Sequence, residues 1–401
     1  MKKKISLLCT AAIVMLSLTG CGGENPGNNE NNESETHNMT ENNTEETVKE
    51  AVYTANENNV KLLGRTYFDE DILYCALSGT GAEFTFTGTK CSVVIKGDDN
   101  STNSGAADNQ ARVGIYVDGE RVIDDMINDS EKSYDVFESD EAKTVSVSVV
   151  KLSESPMSTI GIKEIKVTGS EIKPTPDKDM YIEFIGDSIT CGYGIDDPDK
   201  DHHFVTSTED VTKAYAYLTA QALNADYSIV SFSGYGIISG YTTNGEKVTA
   251  QTVPQFYTKL GYSWSTNGTF SPQNVEWDFS KRQPDLVVIN LGTNDDSYTQ
   301  GDLDKQNEYS ENYTEFIKLI REKNPSARIL CVFGVMGDRL YPYVEQAVEN
   351  YTAETGDTNV SSLQLRQQNA RDGYSADWHP SVTTHQRTSD AVVEEIHNLM
   401  G

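Results

Sequence analysis

The hydrophobic pattern of this 401-residue chain changes period once, close to Met180, and that change sets what it can fold into. From about residue 52 to 167 apolar residues recur at every second position, as in Glu83-Phe84-Thr85-Phe86-Thr87, Cys91-Ser92-Val93-Val94-Ile95 and Val145-Ser146-Val147-Ser148-Val149. A period of two places alternate side chains on opposite faces of a strand. Val113-Gly114-Ile115-Tyr116-Val117, then Asp118-Gly119, then Glu120-Arg121-Val122-Ile123 predicts a hairpin, since Asp-Gly accepts the positive φ angles of a tight turn. Residues 160–167 close the set, and no amphipathic helix interrupts it. Residues 51–170 are therefore expected to form an all-β sandwich of jelly-roll type. Such a domain binds carbohydrate or packs on a neighbour; no row of sugar-stacking aromatics is apparent in it.

Beyond Met180 apolar strand runs alternate with helical runs. Met180-Tyr181-Ile182-Glu183-Phe184-Ile185 and residues 227–232, 286–291 and 329–333 read as strands, and residues 213–223, 312–323, 343–351 and 389–399 as helices, with Pro325 stopping the second helix. This alternation predicts parallel strands with crossover helices, a three-layer α/β/α domain over residues 180–401. Residues 171–179, with Pro174 and Pro176, form a short stiff linker that favours docked domains. The long aromatic and polar stretch 235–284 has weak periodicity and is read as functional or as a wall of the site.

The amino terminus carries Lys2, Lys3 and Lys4 ahead of an apolar run too short for a stable membrane span. Leu18-Thr19-Gly20-Cys21 closes that run as a bacterial lipoprotein signal does, which predicts a lipid-modified Cys21 and an extracytoplasmic, membrane-anchored protein. Residues 22–50, rich in Asn, Glu and Thr, read as a disordered spacer. The formal charge is −30, and loss of the three signal lysines takes it to −33, which disfavours nucleic acid and anionic lipid as partners. Cys75, Cys91, Cys191 and Cys331 are widely spaced and show no C-x-x-C pair. They read as buried free thiols, with a Cys75–Cys91 disulfide as the alternative.

Three strand ends are each followed by a group that ester cleavage needs. Ser188, in Ile185-Gly186-Asp187-Ser188-Ile189-Thr190, is a nucleophile exposed on a turn at a sheet's carboxyl edge. Gly234, after the strand ending at Phe232, brings a backbone N–H close to a substrate oxygen without a Cβ in the way. Asn294, in Gly292-Thr293-Asn294-Asp295, offers a side-chain amide at the same edge. Together with the Ser188 N–H these form a candidate oxyanion hole. His379, in Asp377-Trp378-His379-Pro380, is the candidate general base, since it alone of the histidines sits in an irregular segment just before the last helix. Trp378 beside it is a candidate sugar-stacking or acyl-pocket residue.

These blocks, Gly186-Asp187-Ser188, Ser233-Gly234-Tyr235-Gly236, Gly292-Thr293-Asn294-Asp295 and His379, resemble those of the SGNH (GDSL-type) hydrolase superfamily. With a β domain directly ahead, Gly186-Asp187-Ser188-Ile189-Thr190 and Asp377-Trp378-His379-Pro380-Ser381 are more similar to carbohydrate esterase family 2. The resemblance implies removal of O-acetyl groups from plant polysaccharides such as xylan or glucomannan, with no metal or other cofactor. One position departs from the superfamily's pattern. Its acid usually stands three residues before the histidine, where this chain has Ala376, and Asp377 stands two before. Either Asp377 or a backbone carbonyl is then left to orient His379. A lipid or aryl esterase, and a non-catalytic polysaccharide-binding lipoprotein, are the competing readings.

Two further signals are weak. Residues 234–240 miss the G-x-G-x-x-G spacing of a nucleotide loop. Asp197-Pro198-Asp199-Lys200-Asp201 suggests a calcium loop, but His202 replaces the needed glycine, so a solvated acidic loop is expected.

Overall fold

The computed structural model describes residues 50–400. The segment read as a secretion signal, Cys21 and nearly all of the segment read as a spacer lie outside the described residues. Among those described, no helix is long and apolar enough to cross a membrane.

The period-two segment forms one antiparallel sheet of ten strands that closes over a shared core of Phe84, Val93, Ile115, Val147 and Ile162. Its centre is a pair of long strands, Gly81–Lys96 and Glu131–Lys151. The two runs at residues 83–87 and 91–95 are thus one strand, bent by register shifts between Gly88 and Lys90 and between Cys91 and Ser92. The Asp-Gly hairpin joins Arg112–Val117 to Glu120–Met126, with Asp118 and Gly119 both at positive φ. The Pro-containing segment is not free of the sandwich: Lys173–Pro174 pairs with Phe84 and Thr85, and Ile172 is buried in the sandwich core. All four described cysteines are buried free thiols, so Cys75 and Cys91 do not pair.

The second domain is a five-stranded sheet. Its strands are β1 (Tyr181–Gly186), β2 (Asp226–Ser231), β3 (Leu286–Asn290), β4 (Arg328–Phe333) and β5 (Val360–Gln364). They are all parallel in the order 2-1-3-4-5, a doubly wound arrangement. Helices α1 (Ser188–Cys191), α2 (Tyr215–Ala222), α3 (Thr293–Thr299), α4 (Leu303–Lys323), α5 (Tyr341–Thr355) and α6 (Val382–Met400) complete it. The two faces of the sheet are dressed by alternation. Ile185, Val287, Ile289 and Ile329 pack with Tyr313 and Phe316 of α4 and Val344 of α5. Ile182, Phe184, Val288 and Leu330 pack with Tyr215 of α2 and Val392 of α6. The edge strand β5 has no counterpart in the sequence reading, because Val-Ser-Ser-Leu-Gln is half-buried and short.

The domains are docked. Arg65 of the sandwich is fully buried and forms a two-pronged ion pair with Glu183 in β1, at 3.0 and 2.9 Å from Nη2 and 3.2 Å from Nε. Its Nη1 donates to the carbonyls of Tyr257 and Lys259. Part of the 235–284 stretch lies in the seam between the domains in this way: Tyr262 O accepts from Ser155 Oγ, and Trp264 N–H donates to Pro156 O.

Candidate active site

β1 ends at Gly186, where any Cβ would stand 2.0 Å from Thr190 Oγ1, so only glycine fits. Asp187 then caps α1, its Oδ1 accepting the Ile189 N–H at 3.1 Å. This tight strand-to-helix turn presents Ser188 at the carboxyl edge of the sheet. Its Oγ lies 2.9 Å from His379 Nε2. On the other side of the ring, Nδ1 lies 3.2 Å from the Ala376 carbonyl oxygen. A carbonyl only accepts, so Nδ1 carries the proton and Nε2 keeps the lone pair that faces the Ser188 hydroxyl. Tyr193 stacks on the imidazole at 4.0 Å. Removal from water pushes His379 down to about 4, which keeps it neutral.

The Asp377 carboxylate makes no hydrogen bond to His379. That carboxylate accepts the Tyr193 hydroxyl at 2.9 Å and the Phe204 N–H at 2.9 Å, and it pairs with His203 at 3.0 Å. The backbone explains why. Asp377 and Trp378 are consecutive residues at φ +52° and +63°, and this left-handed turn swings the carboxylate away while aiming the Ala376 carbonyl at the ring. Of the two orienting groups open in the sequence, the carbonyl occupies the position. The acidic loop read as merely solvated supports the turn: the carbonyls of Asp197, His202 and Lys200 accept the N–H groups of Ala376, Asp377 and Trp378.

Gly234 follows β2 at φ +81°, a conformation that favours glycine. Among the described residues its N–H has no acceptor. Asn294 lies at the start of α3, and its Nδ2 donates to Tyr235 O at 2.8 Å and, more weakly, to Asp187 Oδ2 at 3.3 Å. The side-chain amide therefore bridges the loops that carry Ser188 and Gly234. All three strand-end groups and His379 line one cleft of about 710 Å³, with Tyr241, Met336 and Trp378, and with Met157 from the sandwich. Tyr241 and Trp378 are both more than half or half exposed, at 58% and 50%, so their rings are available to a ligand.

Two buried acids escaped the sequence reading. Asp295, read only as part of a block, accepts the N–H groups of Ile237, Ile238 and Ser239 and so anchors the loop that follows Gly234. Burial pushes it up to about 6 against those hydrogen bonds. Glu154, from the sandwich, accepts the Ser233 N–H at 2.8 Å. An acid next to an asparagine at a strand end was a visible signal for the first; nothing local marked the second.

Residues 184–387 match the GDSL-like lipase/acylhydrolase family, and residues 62–176 match the carbohydrate esterase 2 N-terminal domain. The chain is 32% identical over 358 residues to the cellulase/esterase CelE of Acetivibrio thermocellus, covering 87% of this chain and 40% of that protein. It thus spans well under half of that relative's length. It is 24% identical over 353 residues to an acetylxylan esterase/glucomannan deacetylase of Cellvibrio japonicus, covering 86% of this chain and 90% of that one. A family two carbohydrate esterase from Clostridium thermocellum, solved in complex with cellohexaose, superimposes with a TM-score of 0.74 at 28% identity, over 85% of this chain and 99% of that one. With both domains matched in order and the cleft residues at its strand ends, the chain belongs to the GDSL-like lipase/acylhydrolase family and carries the carbohydrate esterase 2 N-terminal domain.

Proposed function

We propose that this protein is a serine esterase that removes O-acetyl groups from plant cell-wall polysaccharide, on a membrane face to which Cys21 tethers it. The observation that carries this reading is the 2.9 Å contact between Ser188 Oγ and His379 Nε2 at the floor of an open cleft. The Ser188 oxygen attacks the acetyl carbonyl carbon while its proton passes to His379 Nε2. The new oxyanion is held by the N–H groups of Ser188 and Gly234 and by Asn294 Nδ2, whose long bond to Asp187 is the one that yields. Collapse breaks the ester bond, and the departing sugar oxygen takes the proton from His379. Water, activated by the same imidazole, then releases acetate from Ser188. Each oxyanion donor contributes roughly 3 kcal/mol to lowering the barrier.

The polysaccharide is proposed from the relatives' named activities on acetylxylan and glucomannan, and from the exposed Trp378 and Tyr241 beside the nucleophile. The test is acetate release from acetylated xylan and acetylated glucomannan by the parent and its Ser188→Ala variant. Release by the parent alone supports the reaction and the nucleophile. Equal release by both removes Ser188, and release only from long-chain esters replaces the polysaccharide with a lipid. The anchor is tested separately: Cys21→Ala should move the protein from the membrane fraction to the soluble one.

A further inference from the structure

Glu154 lies three residues past the long sandwich strand Glu131–Lys151, yet its side chain is buried against the catalytic domain. Its Oε2 accepts the Ser233 N–H at 2.8 Å and stands 3.7 Å from Cys191 Sγ. Ser233 immediately precedes Gly234, and the Gly234 N–H belongs to the peptide that starts at the Ser233 carbonyl. A carboxylate that holds the Ser233 N–H therefore restricts how that next peptide can rotate. Past Gly234, Asp295 holds the N–H groups of Ile237, Ile238 and Ser239. The oxyanion loop is thus gripped on both sides of Gly234, by one buried carboxylate from each domain.

The seat of Glu154 is itself built of polar groups. Its own N–H donates to Glu209 Oε2 at 2.8 Å, and Lys151 Nζ donates to the carbonyls of Ser153 at 2.6 Å and Glu154 at 2.9 Å. Leu152 O accepts the Val211 N–H at 3.1 Å. Ligand atoms of Glu154, Cys191 and Glu209 lie within 4.8 Å of one another, and Oε1 of each glutamate has no hydrogen-bond partner among the described residues. Charge balance needs no ion: the Lys151 ammonium offsets one carboxylate and a single proton neutralises the other. Burial raises both Glu154 and Glu209 above the ordinary carboxylate range, so that proton belongs to the pair. Such a group of charges is costly in a dry interior, where apolar side chains would pack at least as well. Its product is a fixed acceptor for one backbone N–H.

We propose that Glu154 is a positioning residue for the oxyanion hole, so that the β-sandwich domain sets part of the catalytic geometry as well as docking on it. This rests on the esterase reading. Two variants of the full chain separate reach from charge. Glu154→Gln keeps the length and an oxygen that accepts the Ser233 N–H; Glu154→Asp keeps the charge but is one methylene short. With 4-nitrophenyl acetate, Glu154→Asp should lower kcat roughly 10- to 100-fold, less than complete loss of a donor, with KM within about twofold. Glu154→Gln should stay within about threefold of the parent in both. Amide hydrogen exchange over residues 231–240 should quicken in the Asp variant and not in the Gln variant. If Glu154→Asp does not fold, Glu154→Met fills the space without an acceptor and should show the same loss. Parental kcat and parental exchange in the Asp or Met variant overturn the proposal, as does an equal fall in kcat for Gln and Asp. An inert parent whose exchange still responds to Glu154→Asp removes the esterase reading and leaves the clamp standing.

Discussion

The Ala376 carbonyl oxygen lies 3.2 Å from His379 Nδ1, in the place a triad carboxylate would take, while Asp377 turns its own carboxylate to Tyr193, Phe204 and His203. The imidazole is therefore oriented by backbone, and the Asp377 carboxylate, which makes no hydrogen bond to it, holds the turn that aims that backbone. Asparagine tolerates positive φ and retains an acceptor for the Phe204 N–H. Asp377→Asn should accordingly keep kcat/KM within about tenfold of the parent, whereas loss of a true triad acid costs about 10⁴. Steady-state hydrolysis of an aryl acetate distinguishes the two, and a loss of thousands-fold would return Asp377 to the catalytic set.

The pH dependence follows from the base. His379 is active when its Nε2 lone pair is free, and removal from water pushes it down to about 4 from an ordinary value near 6.5. Activity should then be lost as pH falls through about 4, because protonation there takes the lone pair, and should hold level across pH 5.5–7. The profile of kcat/KM reports this group in the free enzyme. An acid limb centred at 6.5 or higher would show that the imidazole is not shielded as the cleft and the stacked Tyr193 imply.

The four strand-end and base residues were legible because each follows a break in pattern: Ser188, Gly234 and Asn294 come just after apolar runs, and His379 stands in an irregular segment between recognisable elements. The two-domain order was legible for the same reason, from a change in period. What escaped were groups whose meaning depends on partners far away in sequence. Glu183 sat inside an apolar strand run and gave no hint that Arg65, 118 residues earlier, would neutralise it. Glu154 and Asp295 are acids whose acceptors' role is set by loops elsewhere. The turn at Asp377 and Trp378 escaped because neither residue is a glycine, so nothing announced two successive positive φ angles.

The Arg65–Glu183 pair makes a stability prediction. Both groups are buried, and Glu183 Oε1 also accepts the Tyr257 hydroxyl at 2.9 Å. Arg65→Ala leaves an uncompensated carboxylate in an interior strand of the sheet and should cost roughly 3–5 kcal/mol. Arg65→Met combined with Glu183→Leu should recover much of that loss, since both charges leave together. Denaturant titration of the parent, single and double variants measures it; additive losses would mean the two side chains act independently.

Trp378 separates substrate binding from chemistry. Its indole is half exposed at the cleft mouth, with Lys200 over the ring at 4.4 Å, and it makes no hydrogen bond from its side chain to the Ser188–His379 pair. A sugar ring stacked there gains on the order of 1 kcal/mol, which a small aryl acetate would not use. Trp378→Ala should therefore raise KM for an acetylated oligosaccharide about fivefold while leaving kcat on 4-nitrophenyl acetate within about twofold. The two substrates measured on the same preparation decide it. An equal fall in kcat on both would mean that the indole instead supports the left-handed turn that aims the Ala376 carbonyl, and the sugar platform would then have to be sought at Tyr241.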